Sequence, residues 1–102
     1  VKRPVRWARE ALDDVKDQVA FIAQDNPHAA RRIAQALRHA GDTLSTFATG
    51  RPGRVAGTFE KVVGSLPFVI CYVLREGPDG ESVVIIRVIH TSRDWPPESW
   101  PE

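Results

Sequence analysis

The spacing of apolar residues changes character near the middle of the chain. Val1–Trp7 puts Val5 and Trp7 on one face and Arg6 on the other, a short strand that Pro4 confines to a sheet edge. From Glu10 to Gln24 the period is helical: Ala8, Leu12, Val15, Val19 and Ile22 form one stripe. Asp13, Asp14, Lys16 and Asp17 lie off that stripe and read as a solvated face. Asp25-Asn26-Pro27 ends this helix, with Asn26 suited to cap a second and Pro27 to its first turn. The second helix is expected from about His28 to Thr46, with Ala30, Ile33, Ala34, Leu37 and Leu44 as its stripe. Gly41 falls on the same face, where the missing side chain would admit a close neighbouring backbone. So short a connection predicts an antiparallel helical hairpin. Arg31, Arg32, Arg38 and His39 fall mainly off the stripe and read as solvated charges.

After a loop at Phe47–Gly53 the pattern is that of strands. Val55–Val63 reads as one, with Gly57 as a bulge or kink. Gly64–Pro67 is a turn, and Phe68–Leu74 is an unbroken apolar run, as in a central strand. A hairpin loop at Glu76–Gly80, marked by Asp79-Gly80, leads into Val83–Ile89. That last run is β-branched except for one charge, Arg87, and it exits through His90, Thr91, Ser92, Arg93, Asp94 and Trp95. Strict alternation would place Val84, Ile86, Val88 and His90 on one face, and Ile85, Arg87 and Ile89 on the other. An unpaired buried charge costs several kcal/mol, so Arg87 must reach either a carboxylate or an open sheet face. The tail WPPESWPE, with three prolines, cannot be regular helix or internal strand. Strand, two helices and three strands in sequence predict an α+β fold, with an antiparallel helical hairpin packed on one face of an antiparallel β-sheet. The other face is expected to be only partly covered.

Composition narrows the chemistry. A chain of 102 residues suits a single domain, 1–102, with one core. Net charge is +1, with eight Lys/Arg against six Asp/Glu up to residue 47 and six against seven beyond it. Neither half is strongly basic, which argues against broad phosphate-driven nucleic-acid binding and leaves room for a small basic site. The single Cys71 lies in an apolar run and reads as a buried hydrophobe. No Cys or His cluster has zinc spacing, so no metal or cofactor is expected. Nothing resembles a signal peptide, a lipidation site or a membrane helix, and a cytoplasmic protein is expected.

Four stretches, in order, carry a resemblance. KRPVRWAREALDDV is similar to the opening strand and helix of RelE/ParE-family toxins of bacterial type II toxin–antitoxin pairs, and NPHAARRIAQAL to the start of their second helix. GRPGRVAGTFEKVVGSLPFVICYVL resembles their middle strands, with a G-R-x-x-G-T pattern before an L-P-[FY] strand entry. VVIIRVIHTSRDW resembles the last strand and its R-V-[IL]-H-x-x-R-D exit.

The resemblance implies a growth-arresting protein neutralised by a cognate antitoxin, with operator DNA contacted only through that antitoxin and no membrane involved. Two activities are known in the family: poisoning of DNA gyrase by ParE-like members, and ribosome-dependent cleavage of mRNA by RelE-like members. The nuclease needs no metal, but it needs cations on the phosphate and an acid–base group near the 2′-hydroxyl. Arg54, Lys61 and Arg87 could supply the cations, as could Arg51, and His90 the acid or base. The only tyrosine, Tyr72, is mid-strand, and no C-terminal tyrosine is present. A gyrase-directed toxin needs only a binding surface, for which Arg93, Trp95 and Trp100 on the Pro-stiffened tail, with Arg51, are the candidates. The ParE-like reading is favoured. An inactive member that only binds a partner and represses transcription with it is a third reading.

Overall fold

A computed structural model describes residues 3–47, 50–64, 66–78 and 80–91. The elements run β1 (Val5–Trp7), α1 (Arg9–Ala23), α2 (Pro27–Thr43), β2 (Arg51–Pro52), β3 (Phe59–Val62), β4 (Phe68–Gly77) and β5 (Gly80–His90). The five strands form one sheet in the order β1-β5-β4-β3-β2. The antiparallel sheet expected from the hairpins holds for β2 to β5, but β1 joins β5 in parallel, with Val5 opposite Val83. The return of the chain over the helical hairpin sets that pairing, which no local pattern records. Pro4 precedes an edge strand, as expected.

Asn26 caps α2 as its sequence suggests, the side-chain oxygen accepting from Ala29 N at 3.0 Å, with Pro27 opening the helix. The helix ends at Thr43 rather than Thr46, because the next residues tighten into i→i+3 turns: Ser45 N donates to Asp42 O and Thr46 N to Thr43 O. The close neighbour of Gly41 is not a backbone but the indole of Trp7, and a methyl group there would run into that ring.

Helix α1 is rotated from the expected stripe. Ala11 and Gln18 are its buried residues, while Leu12 is 47% exposed. The small Ala11 lets the helix approach the sheet, and this rotation brings Asp14 alongside β5.

The strand expected at Val55–Val63 is shorter. Residues 54–57 make a turn, with Gly57 at φ 85° inside it, and β3 starts only at Phe59. Arg51–Pro52, expected as loop, forms the edge strand β2. Strands β4 and β5 extend to a Gly77–Gly80 pair, so their hairpin is tighter than the five-residue loop read from the sequence.

The bulge lies in β5 instead. Cys71 pairs with Arg87 and Tyr72 with Ile85, which leaves Ile86 as the extra residue. Alternation therefore changes phase within the strand. Val83, Ile85 and Val88 join the core with Ala11, Leu37, Ala40 and Leu44 of the helices. Ile86 and Ile89 join Val69 and Cys71 in a second cluster that contains no helix residue. The expected grouping of Val84 and Ile86 with Val88, and of Ile85 with Ile89, is corrected by this one inserted residue. The face expected to be only partly covered is closed at its centre, where Cys71 and Ile89 are fully buried and Val69 and Ile86 nearly so, and open at its margin, where Val62 beside Val69 is 47% exposed.

Candidate functional site

Cations and carboxylates meet at two places on the sheet. The first is built on the segment from Gly50 to Glu60. Tyr72 is fully buried and its hydroxyl accepts from Gly50 N at 2.8 Å, so the tyrosine anchors a loop. Any side chain at position 50 would strike the Tyr72 hydroxyl, which requires glycine there. Thr58 closes the following turn by donating to Val55 O at 2.6 Å. Glu60, buried, then accepts from both Arg54 N (3.0 Å) and Arg54 Nε (3.1 Å), with Arg51 Nη2 at 4.0 Å from its other oxygen. Burial pushes the Glu60 carboxyl up, but the hydrogen bonds from Arg54 and the charges of Arg54 and Arg51 outweigh it and hold the group below its usual range. Arg51 keeps 67% of its side chain exposed, whereas Arg54 keeps 34%.

The second place is the outer edge of β5. The last bond from the β1 side is Ala8 N to Ile85 O. Beyond it Asp14 takes over: its carboxylate accepts Val88 N at 2.9 Å and a two-pronged contact from Arg87 Nε and Nη2, both at 2.8 Å. Each side chain is only 12% exposed. The hydrogen bond that Arg87 donates to Asp14 raises the Arg87 pKa against the effect of burial. Asp14, read from sequence as solvated, is thus the partner that Arg87 needed. The lone charge in an apolar strand calls for either a carboxylate or an open sheet face, and the structure supplies the carboxylate. Glu60 gave no comparable signal.

Arg51, Glu60, Cys71 and Arg87 lie in one cross-strand row. In the middle of it the Cys71 thiol is pushed up to about 12, chiefly by burial and next by the Glu60 charge, so it is not a nucleophile at neutral pH.

His90 is elsewhere. It pairs with Phe68, meets that ring edge-on at 5.3 Å, and lines a groove of about 310 Å³ with Gln18, Phe21, Ile22, Ile33 and Pro67. Phe68 belongs to the helix-side core and Cys71 to the opposite cluster, so His90 and Arg87 occupy opposite faces. Lys61 pairs with Ile70 and so shares the His90 face, but β4 lies between them, which sets them about 10 Å apart laterally at normal strand spacing. The four candidate nuclease residues are therefore spread over both faces. Arg93, Trp95 and Trp100 lie outside the described residues. Among the described residues no group of three His, Cys, Asp or Glu is arranged to hold a metal, and no helix is long and apolar enough to cross a membrane.

A helical hairpin packed on a five-stranded sheet of this order is shared with solved bacterial toxins. The family model for the ParE toxin of the type II toxin–antitoxin system, parDE, matches residues 5–95, and the chain belongs to that family within the wider RelE/ParE group of type II toxins. It is 33% identical over 96 residues to the putative toxin Y4kP of Sinorhizobium fredii, covering 93% of this chain and 95% of that one. It is 34% identical over 90 residues to the toxin RelE2 of Caulobacter vibrioides, covering 87% and 96%. Among solved structures, the chromosomal ParDE system from P. aeruginosa shares the fold, with a TM-score of 0.77 at 20% identity over 87% of this chain and 96% of that one. The RelBE2 toxin–antitoxin complex of Mycobacterium tuberculosis superposes with a TM-score of 0.61 at 27% identity, over 88% and 99%.

Proposed function

We propose that this toxin arrests growth in the bacterial cytoplasm by binding DNA gyrase, as a ParE-like member, and that a cognate antitoxin neutralises it. One observation supports the gyrase reading above the nuclease reading: Arg54 and Arg87 are each engaged by a largely buried carboxylate, and His90 lies across the sheet from both. Metal-free RNA cleavage needs several cations and an acid–base group converging on one phosphate. A binding toxin has no such requirement. Arg51, the more exposed member of its pair, and Arg93, Trp95 and Trp100 of the exit segment are the proposed contacts with gyrase. The match to the ParE family model points the same way.

The ParDE and RelBE2 neighbours are toxin–antitoxin systems, which supports a protein antitoxin here. The hairpin leaves Leu12 (47%) and Phe21 (69%) exposed, and these suit the apolar face of an antitoxin segment that folds on binding. Hydrogen exchange with and without the antitoxin should show added protection across α1; identical protection everywhere would rule this docking out.

The test of the target is a pair of assays on the purified toxin, gyrase supercoiling and ribosome-dependent mRNA cleavage. Inhibition of supercoiling with intact mRNA is the expected result. Cleaved mRNA with unaffected supercoiling would replace the gyrase reading by the RelE-like one, which the RelE2 relative keeps in view.

A further inference from the structure

Arg3 pairs with Glu81, Arg51 and Arg54 with Glu60, and Arg87 with Asp14. Among the described residues the arginines of α2 form no such ion pair. His28, Arg31, Arg32, Gln35, Arg38 and His39 are all exposed, and at 100° per residue they fall within about 120° of arc. No carboxylate occurs in the chain between Asp25 and Asp42, so this stripe of about 16 Å carries three arginines and two imidazoles and no acid. The other helix is opposite in sign: Glu10, Asp13, Asp14 and Asp17 outnumber Arg9 and Lys16. The hairpin is thus electrically divided, with the basic side facing solvent.

We infer that the solvent face of α2 docks on the phosphate backbone of duplex DNA. Three features select this occupant. The stripe holds no exposed large apolar residue, whereas the centre of a protein interface is aromatic and apolar. It holds no Phe, Tyr or Trp, the large rings that form stacking platforms for unpaired bases, which disfavours single strands. Arg and Gln are residues that contact phosphate oxygens, and about 16 Å of duplex axis passes roughly five phosphates on one strand. Repulsion from the acids of α1 would turn that helix away and fix the orientation. Such a contact would add to the gyrase reading, since gyrase holds duplex DNA, but it does not rest on it.

The test is fluorescence anisotropy of a labelled DNA duplex titrated with the purified toxin at several salt concentrations, with no gyrase present. Three phosphate contacts give a slope of log affinity against log salt of about −2.7, or roughly fortyfold weaker binding at 200 mM than at 50 mM salt. The combined variant Arg31→Gln, Arg32→Gln, Arg38→Gln should lose nearly all of that slope, Arg38→Gln alone about a third of it, and Arg75→Gln on β4 none. All these side chains are exposed, and an unchanged thermal melt confirms the fold of each variant. Undiminished binding by the triple variant would overturn the inference. So would equal binding of polyglutamate, which would point to an acidic protein, or tighter binding of an RNA duplex of the same length.

Discussion

Asp14 and Arg87 show how one contact can decide local structure. The pair is almost fully buried and also takes the N–H of Val88 where β1 has ended. Removing one partner strands the other charge, so Arg87→Ala or Asp14→Ala should cost about 3–5 kcal/mol in urea unfolding. A loss below about 1 kcal/mol would mean the pair is not buried in solution. Glu60 makes a pH-dependent contribution. Its folded pKa lies below the unfolded value of 4.5, so the stabilisation is present above that value and is lost as pH falls through the folded pKa. Glu60→Gln should flatten the dependence of the urea midpoint on pH below about 4.5 while changing it little in shape near neutrality. Cys71 should resist a thiol reagent at pH 7 and react only as fast as the protein unfolds, given a thiol pushed up to about 12 by burial.

At the scale of elements, Trp7 is laid on Gly41 with Ile85 close behind it, which ties β1, α2 and β5 together. Gly41→Ala should therefore lower stability by about 1–3 kcal/mol despite the better helix propensity of alanine, as thermal or urea unfolding can show. A stabilised variant would contradict this packing. The helical hairpin and the β3–β4–β5 meander were legible in the sequence because their signals are local: Asn26-Pro27, Asp79-Gly80 and unbroken apolar runs. The partnership of β1 with β5 was not, since it joins residues 78 apart in the chain, Val5 and Val83. Nor was the bulge at Ile86, because isoleucine in a β-branched run carries no mark of irregular pairing. The candidate cations were all found by type, but their carboxylates were not. Asp14 stands among other acids on a helix, and only its distance to Arg87 distinguishes it from a solvated neighbour. The segment holding Arg93, Trp95 and Trp100 is marked in the sequence by residue type alone.

Over the whole molecule, the charges are arranged to present surfaces rather than to converge. Largely buried carboxylates engage Arg54 and Arg87, His90 sits on the helix side, and the basic stripe of α2 is exposed to solvent. This layout suits a toxin that acts by contact. If Trp95 anchors in a pocket of gyrase, Trp95→Ala should weaken that binding by about 2 kcal/mol, roughly thirtyfold, in a direct affinity measurement. Wild-type affinity in that variant would remove the residue from the interface. The most direct test of a binding toxin is growth inhibition by His90→Ala at matched levels of folded protein. The expected result is arrest close to that of the wild type, because a toxin that acts by binding gyrase requires no proton transfer by this imidazole. Complete loss of arrest in the folded variant, together with ribosome-dependent mRNA cleavage by the wild type, would contradict the ParE-like mechanism and make His90 the acid or base of a nuclease.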